Sequence, residues 1–322
     1  MQKPHFEIRT LPSKMERFTV VRRLATTRTG QVLMCTDRRK GTHVVVKRVK
    51  ARRTSPISHE CQMHRLLMNT ESNEVAAHQH ILTLHDDFIQ QGFEHLVLEY
   101  CSNGELFDVV EQLPGGRCEV TLARCYFAQI CDAVQFMHGR GIAHCDLSLE
   151  NVLVDANGVL KVSDFGLSIE TDERRDHAVG KQFYMAPEMH SGESYDPVFA
   201  DLWSLGVMLF IMLTGSPPVE SSKASDSVMR FVRQHSWRAL VHAWQFDDLV
   251  PEDALDLLES LLQLEPSNRC SLAHVMAHPF LHPSKFPSVS SGIKDSLLIH
   301  KIQNTLHLGE PADPAAPITI DV

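Results

Sequence analysis

Short alternating runs of apolar and polar residues occupy the first third of the chain. FTVVRRL at 18–24, QVLMCTD at 31–37, THVVVKRVK at 42–50, ILTLHDDF at 81–88 and HLVLEY at 95–100 each read as a strand. RTG, RRKG and QQG supply turn signals between several of them, and the stretch from Ser58 to Met68 has helical character. An antiparallel sheet with one helix is the element set this pattern predicts. After Asn103-Gly104 the period lengthens. LARCYFAQICDAVQFMHGRG repeats apolar residues at helical spacing and ends in glycine, DLWSLGVMLFIMLTG is a mostly apolar helix ending the same way, and PEDALDLLESLLQL opens on proline and early acids. The run from 216 to 250 carries Pro217-Pro218 and then Trp237 and Trp244, read either as a substrate-side surface or as buried tryptophans.

This change of period places a boundary near residues 99–104 between a strand-rich part and a helical part, and two-part enzymes often bind ligand in such a crease. Four segments follow: an extension at 1–17, a first lobe at 18–101, a second at 102–283 and a tail at 284–322. In the tail, Ile293, Leu297, Ile302 and Leu306 mark one face of an amphipathic helix before a Pro/Ala-rich end, so packing on the parent domain and docking of a regulatory partner are both open.

With 322 residues and 43% hydrophobic content the chain is long enough for one large core or two smaller ones. A net charge of -9, with the basic residues in short runs such as Arg52-Arg53 and Arg174-Arg175, offers no extended positive field and argues against a nucleic-acid partner. No apolar run reads as a membrane span and the N-terminus lacks the apolar stretch of a signal peptide; the expected setting is cytoplasmic, with the nucleus left open. Eight cysteines without a CxxC pair are expected to be free thiols rather than disulfides or a zinc site.

Five residues carry candidate chemistry. Lys47 ends the apolar strand VVVK, where alternation can aim its ammonium inward, and Glu60 in the following helix can pair with it and fix both groups near phosphate oxygens. HCDLSLEN places Asp146 and Asn151 on a loop after a long helix, and LKVSDFGLS places Asp164 in a tight turn after a strand. One carboxylate can accept or orient the proton of a hydroxyl, while Asn151 and Asp164 form an oxygen-only set suited to magnesium against phosphates. Each piece alone is also an ordinary turn residue; specificity comes from the ordered combination.

In that combination the chain resembles the eukaryotic protein kinase family over about residues 18–283. The resemblance extends through Ala186-Pro187-Glu188, through DLWSLG with Asp201 as a brace for the catalytic loop, and to Arg269 as a buried partner of Glu188. It implies a bilobal α+β fold, with an antiparallel-sheet N-lobe carrying one main helix and a mostly helical C-lobe. ATP and Mg2+ are the implied cofactors and protein hydroxyls the implied acceptors. Lys47 takes the place of the ATP lysine, Glu60 its helix partner, Asp146 the catalytic aspartate, and Asn151 and Asp164 the metal ligands. Leu98 resembles the gatekeeper, Glu99 and Cys101 the hinge residues that meet adenine, Glu105 the ribose contact, and Val45 and Leu153 the two sides of the adenine sandwich.

Three departures from the family pattern bear on activity. GxGxxGxV becomes ATTRTGQV, keeping Gly30 and the apolar lid Val32 while Ala25 and Thr27 replace glycines that let backbone N–H groups approach phosphates. HRDLKPEN becomes HCDLSLEN, with Ser148 in place of the lysine that neutralises the transferring phosphoryl group. Lys181, where the family has a threonine, is expected to take over that charge; the alternative is a solvent-facing lysine beside a damaged site. Third, Cys145 replaces the arginine that pairs with a phosphate on the activation segment, and the usual phosphate position reads His177 beside Asp176. Activity without phosphorylation of that segment is therefore expected, with Thr171 and Ser168 left as modification sites.

SLGVMLFIMLTGSPP resembles the calcium/calmodulin-dependent branch and points to serine/threonine specificity. Glu105 and Glu150 match positions that meet basic residues ahead of the target hydroxyl, although a solvated acidic face explains them equally. The readings left open are an active protein serine/threonine kinase, a pseudokinase scaffold, and a small-molecule kinase, the last disfavoured by the complete protein-substrate platform.

Overall fold

In the strand Thr42–Lys50, Val44 and Val46 are buried while Val45 and Lys47 are only half-buried, the signature of a strand with one face against a core. The computed structural model describes residues 14–27, 29–52, 57–68 and 78–282. Contacts divide the chain into two units, one drawing on residues up to Ser58 and on Thr83–Tyr100, the other on His59–Leu82 and on the chain from Cys101.

The first unit is a five-stranded antiparallel sheet. Strands β1 (Phe18–Thr26), β2 (Gly30–Asp37), β3 (Thr42–Lys50), β4 (Leu84–Gln90) and β5 (Phe93–Glu99) lie in the order β1-β2-β3-β5-β4. Phe18, Leu33, Cys35, Val44, Val46, Phe88 and Val97 form the core of one face. Register then fixes the opposite face: Val32 lies across from Lys47 and Lys47 from Leu96, while Met34 lies across from Val45 and Val45 from Leu98. Asp37, at the end of β2, accepts hydrogen bonds from Arg17 Nε at 2.9 Å, Arg17 Nη2 at 2.5 Å and the Arg39 amide at 2.9 Å.

The expected strand over ILTLHDDF begins three residues late. Ile81 forms a parallel bridge to Val162, and the Leu82 amide donates to the Val162 carbonyl at 2.9 Å, so the start of that run belongs to the second unit. Helix α1 (His59–Met68) packs there too: Met63 and Leu67 enter the larger core, and His64 Nε2 lies 2.6 Å from the Leu82 carbonyl oxygen.

That core is built on α3 (Val120–Gly139) and α4 (Pro197–Thr214), which α2 (Leu106–Glu111), α5 (Ser227–Gln234), α6 (Trp237–Ala243), α7 (Glu252–Leu261) and α8 (Leu272–Met276) complete. α4 is buried continuously from Ala200 to Thr214. It corrects the expectation from apolar run length: its 18 residues, at mean hydropathy 1.7, are long and apolar enough to cross a membrane, yet the span is 89% buried inside the protein. A helix apolar all round is what a large core demands. Trp237 settles into the core as well, donating Nε1–H to the Leu262 carbonyl at 2.7 Å and meeting Trp203 edge-on, so the buried reading of this tryptophan holds. Trp244 packs edge-on against Phe210. All eight cysteines are free thiols. The tail helix expected at 293–306, the tail at 284–322 and most of the extension at 1–17 lie outside the described residues.

The Arg17 hydrogen bond is the main reason the Asp37 carboxyl titrates at about 2 instead of 3.8. A carboxyl whose folded-state pKa is depressed stabilises the fold above its ordinary value and loses that contribution as pH falls toward the folded value. Comparing unfolding free energies of the wild type and Asp37→Asn across pH, the gap should be full at pH 5 and above and close between about pH 4 and 2; an equal gap at pH 2 and pH 6 would contradict this assignment.

Candidate active site

The loop that carries Asp146 is held in an unfavourable backbone conformation by a buried carboxylate. Cys145 has φ 63, a region that costs a non-glycine residue about 1 kcal/mol or more. Asp201 on α4 compensates: its Oδ1 accepts from the Cys145 amide at 2.8 Å, and its Oδ2 accepts from the His144 amide at 2.8 Å and lies 2.9 Å from His138 Nε2. His144 is fixed in turn, with Nε2 3.0 Å from the Ser163 carbonyl oxygen and Nδ1 accepting the Asp146 amide at 3.2 Å. One ring nitrogen donates and the other accepts, as a neutral imidazole requires.

Around Asp146 the structure brings together Asn151, Ser148 and Lys181. Asn151 Nδ2 donates to the Asp146 carbonyl at 2.7 Å and to Asp146 Oδ2 at 2.8 Å, which leaves Oδ1 as the acceptor atom of that side chain. The Asn151 carbonyl accepts both the amide and the hydroxyl of Ser163, at 2.8 and 2.9 Å, so the residue preceding Asp164 is tied to the same loop. Asp164 itself is exposed and left-handed at φ 61, while Phe165 beside it is buried. Among the described residues no three His, Cys, Asp or Glu side chains gather into a metal cage. Magnesium suits the Asn151 and Asp164 pair nonetheless, because it takes one or two protein ligands and completes its shell with phosphates and water.

Lys181 faces this loop. Its ammonium donates to Ser148 Oγ at 2.8 Å and lies 3.7 Å from Asp146 Oδ2, and its amide donates to Asp146 Oδ1 at 3.1 Å. The approach depends on Gly180, at φ 88, where an added Cβ would stand 3.0 Å from both Asp146 Oδ1 and the Cys145 carbonyl oxygen. Ser148 is fully buried and its Oγ also accepts the Asn151 amide at 3.3 Å. Nearby, the Tyr184 hydroxyl donates to Glu150 at 3.0 Å, and burial pushes its pKa far up. Ser168 is wholly buried, with its hydroxyl on the His144 carbonyl, and this corrects its reading as a modification site.

A second cluster gathers Cys101, Glu105 and Leu153. The chain turns after Cys101, the Asn103 amide donates to Val154, and Glu105 bridges Leu153 in β7 (Val152–Val154), which pairs with β8 (Leu160–Val162). Val152 and Val154 are buried, so Leu153 points to the other face. Burial raises the Glu105 pKa, Asp108 and Glu150 raise it further, and Lys181 opposes them.

In the sheet unit, Val32, Val45, Lys47 and Leu98 share one face, while the Glu99 carboxylate is held by the Thr83 amide at 3.2 Å and hydroxyl at 2.9 Å. Gly30 has a reason of its own: a Cβ there would lie 1.8 Å from the Arg48 carbonyl oxygen, so β2 and β3 require glycine whatever the loop binds. Glu60 sits in the first turn of α1.

Glu188 and Arg269 meet as expected. The guanidinium, fully buried at its side chain, donates to both carboxylate oxygens at 2.6 and 2.7 Å, to the Phe199 carbonyl at 2.8 Å and to the Gln263 carbonyl at 2.9 Å. His144, Ser163 and Tyr184 support the site but were missed in the sequence; only the proximity of His144 to Asp146 in HCD hinted at one of them.

The protein kinase domain model matches residues 18–281. The chain is 32% identical to Aurora kinase C of Mus musculus over 82% of this chain and 91% of that protein. It is 36% identical to CBL-interacting protein kinase 4 of Oryza sativa subsp. japonica, over 65% of this chain and 46% of the relative. For an Aurora kinase of Patiria pectinifera the identity is 33%, over 68% and 52%. The chain thus spans about half the length of the last two, and the set does not single out the calcium/calmodulin-dependent branch.

Removing one partner of a buried, multiply bonded ion pair leaves the other charge uncompensated, at about 3 to 5 kcal/mol. Arg269→Ala should lower the unfolding free energy by that amount in urea denaturation, and adding Glu188→Gln should recover part of it. No recovery in the double variant would show that packing against Trp203, not the ion pair, sets the loss.

Proposed function

We propose that this chain, which belongs to the protein kinase family, transfers the γ-phosphoryl group of ATP to serine or threonine hydroxyls of proteins. The observation that carries the reading is the position of Lys181, with its ammonium 2.8 Å from Ser148 Oγ and 3.7 Å from Asp146 Oδ2. Ser148 stands where the family places a lysine, and Lys181 where it places a threonine; the lysine and the hydroxyl have changed places, and the cation remains beside the catalytic carboxylate. A pseudokinase free to lose the charge has no need of such compensation.

In this reading Asp146, held by Asn151 and by the Lys181 amide, orients the acceptor hydroxyl and takes its proton. The Lys181 ammonium, steered by Ser148, stabilises the charge that builds on the phosphoryl oxygens. Asn151 through Oδ1 and Asp164 would hold magnesium, which would supply positive charge to offset that of the phosphates. Lys47 has the ATP-lysine role and Glu60 that of its helix partner. Gly30 and Val32 cover the nucleotide, Val45 and Leu153 sandwich adenine, Leu98 is the gatekeeper, and the backbones of Glu99 and Cys101 meet the ring, as the resemblance implies. Glu105 and Glu150, at positions that in basic-directed relatives meet arginines, support a modest preference for basic residues ahead of the target. Free thiols throughout support work in a reducing, intracellular compartment.

Magnesium-dependent transfer to a mixed serine/threonine/tyrosine peptide library should be lost in Asp164→Asn; equal background in both proteins would move the conclusion to a scaffold. Lys181→Ala should lower kcat by about 10²- to 10³-fold, the range for removing one charge-stabilising donor, and Ser148→Lys in that background should restore part of it. Turnover at the wild-type level in Lys181→Ala would rule out the relocated charge.

Cys145 provides no cation for a phosphate on the activation segment, which supports activity without phosphorylation there. Phosphatase treatment, with removal checked by mass spectrometry, should leave kcat unchanged. A large loss would refute phosphate independence.

A further inference from the structure

If no phosphate holds the activation segment, contacts within the chain have to. Arg175 lies on that segment. Its backbone forms a two-way bridge with Tyr195, the Arg175 amide donating to the Tyr195 carbonyl at 3.2 Å and the Tyr195 amide to the Arg175 carbonyl at 2.8 Å. Tyr195 is buried and its hydroxyl donates to the His177 carbonyl at 3.1 Å, so two points of the segment are fastened to one residue. The Arg175 side chain turns inward: Nη2 donates to the Leu167 carbonyl at 2.6 Å, and Nε is buried without a hydrogen-bond partner. Leu167 follows the Asp164-Phe165-Gly166 triplet directly.

The same guanidinium acts electrostatically on Cys145, the residue before Asp146. Burial pushes the Cys145 thiol up and Arg175 opposes that shift, as it does for the Tyr195 phenol. Cys145 is itself buried in its strained conformation. A long basic side chain at 145 would therefore meet the charge of a guanidinium already in place.

We propose that Arg175 is a positioning residue: reaching in from the activation segment, its guanidinium fills the slot left by the missing arginine at position 145 and locks the segment onto the Asp146 and Asp164 loops without a phosphate. The proposal deepens the kinase reading above and rests on it for its catalytic consequence, though not for the structural lock. In outline, the cation that a phosphorylated segment would recruit from the catalytic loop is here contributed by the segment.

The test compares the full chain with Arg175→Ala, Cys145→Arg and the Cys145→Arg/Arg175→Ala double variant, each dephosphorylated. Two readouts are used: steady-state kinetics, and the rate of limited tryptic cleavage after Lys181, a site present in all four. Arg175→Ala should lower kcat by roughly ten- to a hundredfold, the scale for misplacing catalytic groups, with the KM for ATP little changed, and should speed cleavage. Cys145→Arg alone should also lose activity, because two guanidiniums compete for one slot, and the double variant should recover most of both losses. Wild-type kcat and cleavage in Arg175→Ala, or a double variant no better than the single ones, would overturn the proposal. Should the wild type transfer no phosphate, the kinase reading fails by itself; the cleavage rates still decide the lock, with faster cutting in Arg175→Ala supporting it and equal cutting overturning it.

Discussion

The catalytic loop depends on one buried carboxylate. Asp201 takes two consecutive amides and lies against an imidazole, and without it Cys145 would have no reason to stay at φ 63. Charge-assisted bonds of this kind are among the stronger local interactions available to a fold, and this one is spent on backbone shape. Once the loop bends there, Asp146, Ser148 and Asn151 fall into mutual reach, and the Ser163 bonds carry the bend onward to Asp164. α4, which supplies Asp201, is buried along almost its whole length, so the brace is anchored in the larger core.

That frame carries substitutions that a reading of motifs alone would take as damage. Serine at 148 is buried and doubly engaged, and lysine at 181 reaches the space the serine leaves open. Gly180 permits the approach because the segment passes within contact of the Asp146 carboxylate. Cysteine at 145 meets the demand of the brace through its backbone, since its amide is what Asp201 takes. The altered glycine-rich loop is a separate matter, since the glycine it keeps is one that the β2–β3 pairing demands.

Much of this was legible in the sequence, for identifiable reasons. Two-residue alternation in THVVVKRVK and helical spacing in LARCYFAQICDAVQFMHG are strong local signals, and both elements stand where the pattern puts them. The run beginning at Ile81 misled because one apolar stretch serves two units, its first residues pairing with Val162 and the rest entering the sheet. α5 and α6 were not foreseen: they are short, and their caps at Asp226 and Ser236 lie in a polar stretch that reads equally as loop. Asp146, Asn151 and Asp164 stand out in the sequence because their order is distinctive, and Lys181 because it departs from the family threonine. Tyr184 and Arg175 do not, because each acts through a partner far away in sequence, a relation no local pattern encodes.

Placing the cation on residue 181 alters how such a site can be silenced. A lysine in the catalytic loop stays beside the carboxylate whatever the activation segment does. Here the segment carries the charge with it, so any conformer in which residues 175 to 181 swing away also strips Asp146 of its electrostatic partner. Leakage in the open form would then be lower than for a site that keeps its charge at home, and a ligand that merely displaced the segment would silence the chemistry without ever touching the nucleotide.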